Sequence, residues 1–187
     1  TLVNDAFIKL DGNSGFYPAK RSEWQPGTNA DDQGFLRMAV RSMLVREPDC
    51  ITLVDTGFGD EGDEERTKGI VPLLAELGVT PEQIGKVIIT HAHGDHFWGN
   101  TQFKNGGWVP VFPNAEYIIQ KADLEMVHRT EPGQYKQCFT PLEEKKMLRL
   151  IERDEKITDH ITCLFTPGHT PGHQAVAVSG SSCSGDS

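Results

Sequence analysis

Long apolar runs are missing from these 187 residues. None approaches the roughly 20 residues that a membrane-spanning helix requires, so no membrane partner is expected. Basic excess is missing too: 18 Lys and Arg stand against 27 Asp and Glu, a net charge of −9. Nucleic acids and anionic membranes both select for a basic face, so neither is an expected partner. The acidic balance does not bear on small substrates, because a bound metal can reverse the field inside a pocket. Cysteine is scarce and scattered, at Cys50, Cys138, Cys163 and Cys183 with no CxxC pair. Free thiols in a reducing, cytoplasmic setting are the expectation, and a cysteine zinc site is not. No leader-like segment opens the chain, but it begins at Thr1 and not Met, which weakens any inference about compartment.

The composition is that of an ordinary globular protein, 37% hydrophobic and 24% charged with a negative mean hydropathy. The length suits one domain over residues 1–187 with its own core. Short strands alternate with helices. Residues 36–45, "LRMAVRSMLV", place Met38, Val40 and Leu44 on one face of a strand. "CITLVDTG" (50–57) reads as a buried strand ended by a turn, and "DEGDEERTKG" as a solvated acidic stretch before a helix. In that helix Ile70, Leu73, Leu74 and Leu77 recur at helical spacing and Gly78 closes the pattern. "VTPEQI" carries a capping box, with Thr80 as N-cap, Pro81 first and Gln83 reaching back. "KVIIT" (86–90), "AEYIIQ" (115–120), "ITCLFT" (161–166) and "QAVAV" (174–178) read as strands, and "KADLEMVH" (121–128) as a short helix. The pattern is α/β, with polar motifs at strand ends, and no internal repeat or linker interrupts it.

One of those strands delivers the chain into "THAHGDHFWGN", residues 90–100. Here three of the seven histidines and an aspartate fall within six positions. His91 and His93, two apart in an extended segment, point the same way. Asp95 and His96 follow where a helix is expected to begin. Neutral imidazole is the commonest metal ligand, and imidazole with carboxylate suits zinc or iron better than calcium or magnesium. Two ligands facing one way and two just after them suit a pair of metals better than one. Phe97 and Trp98 either line an apolar substrate pocket or belong to the core, and sequence does not separate the two. His128 and His160 stand outside any motif and read as surface or structural residues.

"HAHGDH" (91–96) resembles the HxHxDH signature of the metallo-β-lactamase superfamily. "LVDTG" (53–57), "TPGHTPGH" (166–173) and "SGDS" (184–187) resemble its second, third and fourth motifs, in family order. "FPNAEYIIQKADLE" and "TPGHTPGHQAV" are similar to the branch of quorum-quenching lactonases and methyl parathion hydrolase-like enzymes. The resemblance implies an αββα sandwich with a dinuclear site at one edge of its sheets. It implies His91, His93 and His169 around a first metal, Asp95 and His96 on a second, and Asp186 bridging. Asp55 would support a ligand histidine from behind, and His173 would pack beside the site without ligating. Trp24 would lie in the region that lobes over the active site. Two zinc ions are expected in a complete site, with iron or manganese as alternatives.

That metal set implies a hydrolase in which metal-activated water attacks a carbonyl or phosphoryl centre. Asp95 would both ligate and shuttle a proton to the leaving group. The expected substrate is a small, fairly hydrophobic lactone, ester or phosphotriester; a glyoxalase II-like thioesterase is the alternative. The family pattern runs on past the bridging aspartate to a late histidine, whereas this sequence ends at Ser187. The expectation is therefore a domain incomplete at its C-terminus, with one protein ligand missing from the second metal. A truncated, non-catalytic metal-binding product and a homodimer that covers exposed apolar surface are the corresponding alternatives. A redox di-iron protein would need a flavin domain that the sequence does not show.

Overall fold

A computed structural model describes residues 1–59 and 69–180. The chain opens with β1 (Leu2–Asp11), two one-turn helices α1 (Gly12–Gly15) and α2 (Arg21–Trp24), then β2 (Phe35–Arg46) and β3 (Ile51–Val54). After α3 (Ile70–Glu76) come β4 (Ile84–Ile88), α4 (Gly94–Phe97) and the hairpin β5 (Thr101–Lys104) and β6 (Gly107–Pro110). The remainder is β7 (Glu116–Gln120), α5 (Lys121–Thr130), α6 (Pro132–Cys138), α7 (Thr140–Glu144), β8 (Leu148–Ile151), β9 (Glu155–Lys156), β10 (Ile161–Phe165) and β11 (Gln174–Val178). No described helix is long and apolar enough to cross a membrane.

Six strands form one mixed sheet in the order β1-β2-β3-β4-β7-β8. β1, β2 and β3 pair antiparallel; β3, β4, β7 and β8 run parallel. The central strands bury both faces, which is why they read as unbroken apolar runs. Leu53, Val87, Tyr117 and Ile119 face the helices and pack with Leu74, Leu124, Val127, Phe139 and Leu142. Their neighbours Val54, Ile88 and Ile118, with Ile151, face the other way, onto Ile161 and Cys163 of a three-stranded sheet ordered β11-β10-β9 and onto Ile157 just after β9. Helix layer, large sheet and small sheet are therefore stacked as three layers of the expected sandwich. On the outer side of the small sheet Leu164, Ala175 and Ala177 are exposed. The fourth, helical layer is not among the described residues, and the acidic stretch at 60–68 lies outside them.

Local chemistry explains the boundaries. Gly78, at φ 70°, turns the chain after α3; the Val79 amide returns to the Leu74 carbonyl at 2.9 Å. Val79 thereby takes the core seat that the spacing predicts for Leu77, which is left 37% exposed. The Thr80 capping box is present, but it caps only the single 3₁₀ turn Pro81–Gln83.

β2 continues past its pairing of Met43 with Val54 back to Phe35. With β1 it makes a ribbon that extends roughly 27 Å, at ~3.4 Å per residue, beyond the C-terminal end of β3. Residues 12–34 form its tip. There Trp24 is buried and stacked on Phe16, with ring centroids 5.2 Å apart. The ribbon thus leaves the sheet on the edge where the histidines lie.

Candidate metal centre

Three chain segments meet at that edge. The first is the turn after β3. Asp55 there holds a left-handed backbone, φ 59°, one of the few conformations of this kind that aspartate tolerates. Its amide donates to the Ile88 carbonyl at 2.9 Å, so the turn is pinned to the end of β4. The second segment is Thr90–His96, leading from β4 into α4. The third is the loop from Thr166 to His173 between β10 and β11. It is fastened where the Gln174 amide donates to the Thr90 carbonyl (2.9 Å) and the Gln174 side-chain amide to the Ile89 carbonyl (2.8 Å).

Two of these segments bring His91, His93 and His169 together. One ligand-competent atom from each lies within 4.8 Å of the others. His93 Nδ1 stands 3.0 Å from His169 Nε2, and the His91 ring lies 4.9 and 4.7 Å from theirs. His91 is buried, whereas His93 and His169 face solvent. Burial and then the neighbouring imidazoles push the pKa of His91 down to about 3. The same two causes, in the same order, lower that of His169. Both shifts favour the neutral ring of His91 and His169, the form in which a histidine ligates a cation.

His96 stands beside them, its ring 3.9 Å from that of His91. Its Nδ1 faces Asp55 Oδ2 at 2.7 Å and its Nε2 faces Asp95 Oδ2 at 3.3 Å. Burial opposes its protonation, but hydrogen bonds to Asp55 and Asp95 outweigh it and bring the pKa up to about 10. For Asp95, burial likewise works against ionisation, and the His96 contact prevails to lower its pKa. Asp55 also accepts the Thr90 amide and hydroxyl, each at 2.7 Å. The carboxylate behind Nδ1 fixes the ring, and Nε2, which here meets Asp95, is the atom left to a metal once its proton is lost.

The other expected residues divide. His173 is drawn in, 5.4 Å from the His91 ring, but its Nδ1 bonds to Thr166, to the hydroxyl at 2.9 Å and the carbonyl at 3.1 Å. Phe97 is not a pocket residue: it is fully buried against Phe139, 4.9 Å between ring centroids. As the inward residue of a helix behind the histidines, it has no face toward solvent. Trp98 is half-buried. It packs on Phe58 at 5.6 Å, donates Nε1–H to Gln134, and lies so close over Gly94 that any Cβ there would come within 2.4 Å of its ring. His128 is exposed, its ring 4.4 Å from that of Tyr135 and tilted by 50°, and His160 is exposed; neither joins the histidine cluster. Asp186 lies outside the described residues. A cavity of about 550 Å³ on the ribbon, between Phe7, Lys9, Phe35 and Arg37, is lined by none of the histidines. Donor geometry, not concavity, locates the centre.

Residues 37–183 match the family described as "Metallo-beta-lactamase superfamily". The chain belongs to the metallo-β-lactamase superfamily. Among superfamily relatives, an N-acyl homoserine lactonase of Bacillus cereus is 35% identical over 109 residues, which is 58% of this chain and 38% of that protein. The chain thus matches well under half the length of that relative. A solved quorum-quenching N-acyl homoserine lactone lactonase superposes at TM-score 0.70 and 26% identity, over 95% of this chain and 66% of its own. AidC, a dizinc quorum-quenching lactonase with a product bound, shares the fold at TM-score 0.75 and 24% identity, over 97% of this chain and 67% of its own.

Sequence reasoning missed one residue that touches two of the site's segments. Asp123 is fully buried in the first turn of α5 and accepts from Ala92, Thr170 and Gly172. "KADLE" shows only an acidic residue near a helix start, and no local pattern distinguishes it.

Proposed function

We propose that His91, His93 and His169 hold one zinc ion, that Asp95 and His96 serve a second, and that the site hydrolyses a lactone, ester or phosphotriester of a small hydrophobic molecule. The convergence of three imidazoles from two loops within 4.8 Å carries this reading. Kinship to N-acyl homoserine lactonases favours the lactone among these substrates, and the dizinc neighbour supports zinc. A bridging role for Asp186 belongs to the proposal as well.

The donor set fits the metal. Imidazole and carboxylate suit zinc, and among the described residues no cysteine joins the cluster. Zinc bound there supplies a Lewis acid and lowers the pKa of water toward neutrality. The chain's own residues do the rest. Asp55 fixes the His96 ring through Nδ1. Asp95, ionised and partly exposed, offers Oδ2 as the atom at which a proton is held on its way to the leaving group. Trp98 forms an apolar wall over Gly94 beside the reacting centre.

Zinc-loaded protein assayed in parallel against an N-acyl homoserine lactone, a thioester and a phosphotriester tests the reading. Lactone opening, lost in Asp95→Asn while zinc is retained, is the expected result. A folded, zinc-loaded chain that turns over none of the three would overturn it.

A further inference from the structure

Asp123 ties the two histidine-bearing loops to each other. Its Oδ2 accepts the Ala92 amide at 2.7 Å and the Thr170 hydroxyl at 2.8 Å; its Oδ1 accepts the Gly172 amide at 2.6 Å. Ala92 sits between His91 and His93. Thr170 follows His169, and Gly172 precedes His173. A fully buried carboxylate is costly unless it is met by donors, and here three meet it, two of them backbone amides. A Cβ on Gly172 would lie 2.7 Å from the Asp123 amide and 2.9 Å from Oδ1, so only a bare backbone lets the two segments come this close. The carboxylate stands near the start of its own helix, where it could cap free amides. It instead reaches residues 31, 47 and 49 positions away in sequence.

His169 needs such an anchor. It is exposed, and its side chain meets His93 at 3.0 Å. Its distance to His91 and His93 is set by the loop that carries it, and the residue directly after it is bound to the same carboxylate as Ala92.

We infer that Asp123 is the positioning residue that sets His169 against His91 and His93, through hydrogen bonds that join Ala92 to Thr170 and Gly172. This rests on the reading of the three histidines as a metal site. In Asp123→Asn an amide can accept on one side only, so either Ala92 or Gly172 keeps a buried N–H facing another donor. Supporting partners of this kind typically change metal affinity by about 10- to 100-fold.

The test is zinc affinity of the intact chain by competition with a chromophoric chelator, together with the visible spectrum of the cobalt-substituted protein. Circular dichroism establishes that each variant is folded. Asp123→Asn is expected to weaken zinc about 10- to 100-fold and to alter the cobalt bands. Thr170→Val, which removes one donor of three, is expected to weaken zinc roughly twofold to tenfold, and it carries the test if the Asn variant does not fold. A merely structural role would lower thermal stability and leave the affinity and cobalt bands of the folded protein unchanged; that result overturns the inference while the metal reading stands. If the parent chain binds no zinc, the metal reading falls on its own, and the histidine NMR resonances then decide. Displacement of His169 and His91 resonances by Asp123→Asn supports the positioning role, and resonances left in place overturn it.

Discussion

Asp55→Asn separates orientation of a ligand from mere presence of a polar side chain. Asparagine tolerates the left-handed backbone at φ 59° as aspartate does, so the turn is preserved. Asp55 uses Oδ1 for the Thr90 amide and Oδ2 for the Thr90 hydroxyl and His96 Nδ1, all at 2.7 Å. With its oxygen on the Thr90 amide, the substituted asparagine would turn its NH₂ toward His96 Nδ1. That nitrogen can then only accept, which forces the ring proton onto Nε2, the atom facing Asp95 and the one the metal would take. With the side chain reversed, the Thr90 amide is left facing a donor at a position only 5% exposed. Either arrangement loses one hydrogen bond to a charged group, worth about 1.5–3 kcal/mol. Zinc affinity is expected to fall about 10- to 100-fold, or about 1.4–2.7 kcal/mol. Chelator competition reads the affinity, and urea unfolding of chelator-treated protein reads the stability. An Asn variant equal to the parent in both would refute the claim that Asp55 orients His96.

Phe97→Ala is expected to cost about 3–5 kcal/mol in urea unfolding, as a core aromatic does, against the main cluster in which it is fully buried; a change below about 1 kcal/mol would mean the residue faces the pocket after all. Thiol labelling of the native protein should reach half-exposed Cys50 and spare Cys138 and Cys163, both fully buried; rapid labelling of Cys163 would contradict the packing of the small sheet. Burial pushes the Cys163 thiol up to about 12 from an ordinary 9.0. The unfolded chain therefore sheds that proton first, and stability should decline from pH 9 upward, with a shallower decline in Cys163→Ala.

Much of the site is legible in the sequence because its chemistry is local. His91, His93, Asp95 and His96 follow one another on a strand exit, and "LVDTG" and "TPGHTPGH" each follow a strand whose apolar run is plain. The central strands announce themselves because both faces are buried. Less is legible where the pattern is diluted. β1 carries Asn4, Asp5 and Lys9 among its apolar residues, which hides its strand character. The β5–β6 hairpin turns at Asn105 and Gly106, both at positive φ; that Asn-Gly pair is a hairpin signal the apolar pattern alone does not reveal. Helix α6 begins at Pro132 and α7 carries Pro141 in its first turn, and these prolines break any long helical period. Phe97 has no sequence assignment because a core aromatic and a pocket aromatic look alike one residue after a ligand. Asp123 is invisible for a different reason: its partners lie 31 to 49 residues away, and only the fold brings them within reach.

The most direct measurement is the zinc content of purified, dialysed protein by elemental analysis, with His169→Ala measured alongside. Zinc retained by the parent and lost or sharply reduced in the variant is the expected result. A folded parent that retains none, or a variant that retains as much as the parent, would contradict the metal centre.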